Sequence, residues 1–180
     1  MDSMSEQNNE LEMHDERSKL EKIANRISSI SYIQSVRSFL SREKKIAVIV
    51  DGPNFLRKVK NKHVKLDDVE EKIKDEGKIV IRKVLLNEFA GESLLQAVFN
   101  SGYEPIVTAH DIYIQMAIEV TKLLSEKIDS IFFATRHARA VPIVQKLKEK
   151  GVEVALVTYE SGLSIALKKT IDKIFYIEID

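Results

Sequence analysis

Asp51 closes an uninterrupted apolar run, Ile46-Ala-Val-Ile-Val50, and is followed at once by Gly52, Pro53 and Asn54. A carboxylate at the end of a buried strand faces the crevice in which open α/β sheets bind their ligands. Its oxygens are suited to a hard cation. The same four residues also suit an Asx-type turn with no chemistry, Gly and Pro setting the bend and Asn54 bracing it. The four histidines (His14, His63, His110 and His137) show no H-x-x-x-H spacing, although His110 and His137 each lie just past a predicted strand. There is no cysteine, which excludes thiolate metal sites and disulfides. Neither G-x-G-x-x-G nor a Walker A sequence occurs, so no nucleotide cofactor is expected, and no Ser-His-Asp arrangement is suggested by the spacing.

The elements that must position Asp51 follow from periodicity. The run before it reads as a strand buried on both faces. Helices are predicted at Leu66–Glu76, stopped by Gly77, and at Glu92–Ser101, stopped by Gly102. A third, N-capped by Asp111, reaches about Lys127, and a fourth spans Ala140–Lys150 and stops at Gly151. A last helix covers about Leu163–Thr170. Between them lie apolar strands around Ile79–Leu86, Pro105–Ala109, Ser130–Ala134 and Val152–Val157, with a short one at Ile174–Ile177. Strands alternating with helices imply right-handed crossovers and a mostly parallel sheet. The expected fold is therefore a three-layer α/β/α sandwich of about five to six strands, occupying residues 44–180.

Ahead of it, residues 1–15 are acidic and polar and read as a disordered tail. Residues 16–43 carry an amphipathic helix and a linker, with Leu20, Ile23, Ile27, Val36, Phe39 and Leu40 along one stripe. Such a helix either packs on its own domain or pairs with another copy or a hetero-partner. The chain has 180 residues, 44% of them apolar, enough for one ordinary core. With 28 basic and 28 acidic residues the formal net charge is zero, so any contact with nucleic acid must come from a local patch. No apolar run approaches the roughly 20 residues that span a bilayer. The expectation is a soluble, cytoplasmic protein with no membrane contact.

Asp51-Gly-Pro-Asn-Phe-Leu-Arg-Lys58 resembles the opening of NYN domains of the PIN-like ribonuclease superfamily, in an archaeal-type subfamily that begins D-G-P-N-x-L-R-K. The resemblance continues in order through Gly102-Tyr-Glu-Pro-Ile106, Met116-Ala-Ile-Glu119, Thr135-Arg136, Pro142 and Ser161-Gly-Leu-Ser-Ile-Ala-Leu167. It covers about residues 44–178.

The resemblance implies RNA cleavage with Mg²⁺ or Mn²⁺ held by converging carboxylates, which activate a water for in-line attack. Asp51, Asp111 and Glu119 match acidic positions and would be the catalytic and metal-binding set. Where the family places further aspartates, this chain has Tyr113, His137 and Arg139. A guanidinium repels a divalent ion. At about 4 Å and an effective dielectric near 20, a unit charge pair is worth roughly 4 kcal/mol. The resemblance therefore points away from an enzyme and toward an RNA-binding or scaffolding pseudo-nuclease. In that reading Asn54, Arg136, His137 and Arg139 hold phosphate, as arginine's planar fork allows. Arg136 also admits a structural salt bridge. A ribonuclease with a reduced acidic site, and a protein-interaction partner acting through the N-terminal helix, are the alternatives.

Overall fold

The central strand explains the architecture. Residues Ile46–Val50 of β1 (Lys45–Asp51) are wholly inaccessible to solvent, on both faces of the sheet. That requires a layer of helices on each side, and the computed structural model has them. It describes residues 30, 43–59 and 62–178. The expected tail at 1–15 and helix at 16–43 fall outside the described residues, apart from Ile30 and Glu43.

After β1 come a short helical turn α1 (Gly52–Phe55) and two two-residue strands, β2 (Lys58–Val59) and β3 (Lys62–His63), paired antiparallel. The chain continues through α2 (Leu66–Ile73), β4 (Lys78–Asn87), α3 (Glu92–Asn100), β5 (Glu104–Thr108) and α4 (Ile112–Leu123). It ends with β6 (Ser130–Ala134), a 3₁₀ turn at Ala138–Ala140, α5 (Val141–Glu149), β7 (Glu153–Thr158), α6 (Ile165–Thr170) and β8 (Lys173–Tyr176). The main sheet runs β5-β4-β1-β6-β7-β8, and every neighbouring pair is parallel. These are the six strands of the expected α/β/α sandwich. Among the described residues no helix is long and apolar enough to cross a membrane.

Alternation along β1 divides the core. Ile46, Val48 and Val50 join Val84, Leu86, Phe132 and Val157 beneath Val69 and Ile73 of α2 and Val98 of α3. Ala47 and Ile49 join Leu85, Phe133 and Leu156 beneath Met116 and Val120 of α4, Val144 of α5 and Leu167 of α6. Each fully buried Val, Leu, Ile or Phe contributes about 1.5–3 kcal/mol.

Several expected boundaries differ, among them the end of α2 at Ile73 and not Glu76 and the start of α6 at Ile165, and two have a visible cause. β5 stops at Thr108 because its Oγ1 accepts the His110 N–H at 3.0 Å and turns the chain. α4 stops at Leu123, four residues early, where Ser125 Oγ donates to the Lys122 carbonyl at 2.7 Å and competes with the helix ladder.

Chain order leaves β1 for β4 and β5 on one side, then returns to β6 on the other. The carboxyl ends of β1 and β6 therefore flank the switch point of the sheet, where ligands of open α/β folds collect. Val50 is in register with Ala134, so Asp51 and Thr135 leave the sheet side by side.

Candidate functional site

Asp51 is only 1% exposed. An ionised carboxylate that is buried must be hydrogen-bonded, and Asp51 is. Its Oδ1 accepts the Asn54 N–H at 3.2 Å, capping α1. Its Oδ2 accepts the Tyr113 hydroxyl at 2.6 Å and the Thr135 hydroxyl at 2.9 Å. The turn that brings Asn54 round depends on Gly52. A Cβ there would lie 2.5 Å from a Leu86 methyl and 2.7 Å from the Leu85 carbonyl.

Tyr113 stands in the first turn of α4, just past Asp111, whose Oδ1 accepts the Tyr113 N–H at 2.9 Å. Burial, then the hydrogen bond to Asp51, pushes the Tyr113 phenol well above its ordinary range, so it remains a donor. Its ring is flanked by the His137 ring, 5.5 Å between centroids, and by the Arg139 guanidinium at 4.8 Å. Arg139 Nη1 meets Asp111 Oδ2 at 2.6 Å, and this hydrogen bond holds the Asp111 carboxyl below its ordinary value. His137 Nδ1 accepts the Arg139 N–H at 3.2 Å, which fixes the 3₁₀ turn carrying both. Tyr113, His137 and Arg139 thus touch one another, and Tyr113 lies against Asp51. The Arg139–Asp111 pair is half open to water and worth at most about 1 kcal/mol. The part-buried Tyr113–Asp51 hydrogen bond, to a carboxylate, is the firmer contact.

Glu119 is elsewhere. Its Oε2 accepts from Lys83 Nζ at 2.6 Å, and its Oε1 accepts from Lys122 Nζ at 2.7 Å and Gln115 Nε2 at 3.0 Å. Lys83 is in register with Ile49, two residues short of Asp51, so Glu119 lies one side-chain layer below the edge. Burial would push the Glu119 carboxyl up, but the hydrogen bonds from Lys122 and Lys83 outweigh it and hold the group below its ordinary value.

The expected set of Asp51, Asp111 and Glu119 therefore does not fit a divalent cation. Asp51 faces a phenol and a hydroxyl, Asp111 faces a guanidinium, and Glu119 faces two ammonium groups. Among the described residues no three His, Asp or Glu side chains converge as a cation site.

Arg136 also needs correction. It was expected to hold phosphate, yet it is 3% exposed. Its guanidinium lies 4.3 Å from the centre of the Tyr159 ring and donates to the Ser161 and Asn54 carbonyls. No salt bridge to it is found among the described residues. It clamps together the loops that follow β1, β6 and β7. The last of these needs Gly162, whose φ is +73° and whose Cβ, if present, would lie 2.9 Å from Arg136 Nη1. Burial lowers the Arg136 pKa, though an arginine stays charged. Asn54 is half-buried and its side-chain oxygen has no hydrogen-bond partner among the described residues. His137 and Arg139 remain exposed. A hollow of about 630 Å³ between α4 and α5 is lined by Arg139, Asp111, Tyr113, Thr121 and Lys122 together with Ile114, Ala117, Ile118, Pro142 and Ile143, and most of its lining surface is apolar.

Sequence reasoning missed the partners: Thr135 for Asp51, Lys83 and Lys122 for Glu119, Tyr159 and Ser161 for Arg136. One signal was available, since a lysine within an apolar strand, as Lys83 is, must find an acid.

Residues 45–178 match the NYN domain family. The chain belongs to the NYN domain family. It is 40% identical over 136 residues to an uncharacterized protein of Methanocaldococcus jannaschii. That match covers 75% of this chain and 56% of the relative, so the chain spans little more than half of that archaeal protein. The NYN domain also superposes on the crystal structure of a protein of unknown function from Vibrio parahaemolyticus, with a TM-score of 0.68. At 14% identity, covering 77% of this chain and 95% of the other, that likeness shows the fold alone.

Two measurements check this geometry. Tyr113→Phe removes one of the hydrogen bonds on a buried carboxylate and is expected to cost about 1.5–3 kcal/mol in urea unfolding; no loss would mean that Asp51 does not depend on the phenol. Glu119→Gln is expected to cost about 3 kcal/mol near neutral pH, the low end for breaking a buried pair, because Lys122 is open to water. Since the folded-state pKa of Glu119 is depressed, its contribution is present above the ordinary value of 4.5 and is lost as pH falls below it. The gap between wild type and Glu119→Gln should therefore narrow in acid; a constant gap would contradict the assignment.

Proposed function

We propose that this NYN domain binds RNA without cutting it: it is a pseudo-nuclease whose cation site is filled by its own side chains. The observation that carries this reading is the cover over Asp51. Tyr113 donates to the carboxylate, and Arg139 stacks on Tyr113 while pairing with Asp111. Both carboxylates at the switch point are engaged by protein donors. A metal-dependent nuclease needs those oxygens free, since Mg²⁺ is held by carboxylate lone pairs in near-octahedral geometry. The fold is retained because the Arg136 clamp and the glycine turns do not involve the replaced positions.

The support for RNA as ligand is membership of the NYN family together with the basic character of part of the carboxyl edge. Arg139 and His137, both exposed there, are the remaining candidates at the crevice for a phosphate contact.

Purified protein incubated with single-stranded RNA and Mn²⁺ or Mg²⁺ is expected to leave the RNA intact over hours, as read on a denaturing gel. Cleavage that disappears in Asp51→Ala would overturn the reading. A second experiment tests the cover directly. In the combined variant Tyr113→Asp, His137→Asp, Arg139→Asp, Mn²⁺ is expected to raise the melting temperature and to give measurable heat in titration calorimetry. Wild type should show neither effect. A Mn²⁺-dependent stabilisation of wild type that Asp51→Ala removes would mean that the site still takes the ion.

A further inference from the structure

The helix α4 is apolar on two faces. Met116, Val120 and Leu123 point into the core, which accounts for one of them. Ile114 and Ile118 lie on the other, 56% and 43% exposed, and Leu124 at the C-cap is exposed as well. Residues four apart are neighbours on a helix surface, so the two isoleucines form one apolar strip. A helix that is apolar all round is ordinarily one that is covered all round. The acid of this helix, Glu119, is turned inward to Lys83 and Lys122 and puts no negative charge on the outer face.

This strip forms one wall of a groove against α5. Two hollows, of about 630 and 260 Å³, share Ala117, Thr121, Pro142 and Ile143 in their linings and so run into each other. The first begins at Asp111 and Tyr113, and the second reaches Leu124 and Leu147. At 1.5 Å per residue the wall from Asp111 to Leu124 is about 20 Å long, the length of a helix of about 13 residues. The charged groups along the groove are mostly of one sign. Arg139, Lys122 and Lys146 line it, against one acid, Asp111, which Arg139 engages. The acid that meets Lys146, Glu149, is not part of the lining, and the side chains of Lys122 and Lys146 are largely in water.

We propose that the groove between α4 and α5 docks an amphipathic helix of an acidic partner protein. Apolar side chains of that helix, at i, i+3 or i+4 and i+7, enter the groove beside Ile114 and Ile118, and carboxylates along its flanks meet Lys122 and Lys146. The apolar contacts supply affinity and the charges select the partner. A second copy of this face would set lysines against lysines, and a bilayer would meet protruding side chains and not a groove. The inference stands apart from the RNA reading, because the wall from Ile114 to Leu124 holds none of the groups that meet Asp51.

The test is selection of a phage-displayed library of helical peptides, about 14 residues long to match the groove, on the immobilised full chain. Enriched peptides are expected to carry an apolar stripe of helical period flanked by Asp and Glu. Their affinities are then measured by fluorescence anisotropy. Ile114→Ser, Ile118→Ser is expected to bind them at least about tenfold more weakly, and both positions are exposed, so the fold should be kept. Lys146→Glu should weaken the acidic peptides and favour versions with Lys in place of Glu, a reversal that a loss of structure would not produce. No enrichment, enrichment of basic or non-amphipathic peptides, or equal binding by the isoleucine variant would each overturn the proposal. A solution mass of two chains that falls to one in the isoleucine variant would assign the groove to a second copy and overturn it too. So would sedimentation with anionic phospholipid vesicles that the isoleucine substitutions abolish.

Discussion

A charge taken out of water must be met by a partner, or the fold does not hold it. Three charged groups are buried at or just below the carboxyl edge of this sheet: Asp51, Arg136 and Glu119. Much of what is distinctive there follows from how each is met. Asp51 takes a backbone N–H and two hydroxyls, which draws the starts of α1 and α4 and the end of β6 into contact. Arg136 takes two backbone carbonyls and an aromatic face, which ties the loops after β1 and β7 to β6. Glu119 takes two lysines, which fixes α4 over β4. None of the three is placed by hydrophobic packing alone, and none would be stable in its place without the others' elements nearby.

What could be read from the sequence was what depends on local pattern. β1, β6 and β7 were legible because a strand buried on both faces is a nearly continuous apolar run, and the helices that stop at Gly102 and Gly151 are followed by a residue that accepts positive φ. Asp51 was legible as a carboxylate closing such a strand. The ribbon β2–β3 was not, because two-residue strands carry no hydrophobic period. The partners of the buried charges were not legible either. Tyr113 and Asp51 are separated by 62 positions, Thr135 and Asp51 by 84, and Lys83 and Glu119 by 36. Such pairs are set by the order of strands in the sheet, and no window along the chain contains them. Arg136 is the instructive case: a conspicuous arginine beside a suspected site read as a phosphate ligand, while its burial against Tyr159 could be known only once β6 and β7 were neighbours.

The two groups of interactions at the edge differ in kind. Gly52, Gly162, Ser164 and Arg136 act through backbone geometry: a close approach, a positive φ, a capped helix and a pair of carbonyl contacts. Tyr113, His137 and Arg139 meet one another chiefly through their side chains. The first group shapes the edge and the second only occupies it. Changes among the second group therefore need not disturb the first.

The charges at this edge are also balanced. Carboxylates clustered at a sheet edge repel one another, and a bound cation relieves that repulsion. Here the relief is covalently attached: Arg139 supplies the positive charge against Asp111, and Tyr113 and Thr135 supply the hydrogen bonds against Asp51. A divalent ion entering this arrangement would have to displace the phenol from a part-buried hydrogen bond and come close to a guanidinium. The first displacement costs about 1.5–3 kcal/mol, and the repulsion acts on both charges of the ion. Stability and ion binding therefore compete for the same oxygens. Asp51 and Asp111 are engaged by different donors, so replacing Arg139 alone would leave the phenol on Asp51, and replacing Tyr113 alone would leave the guanidinium on Asp111.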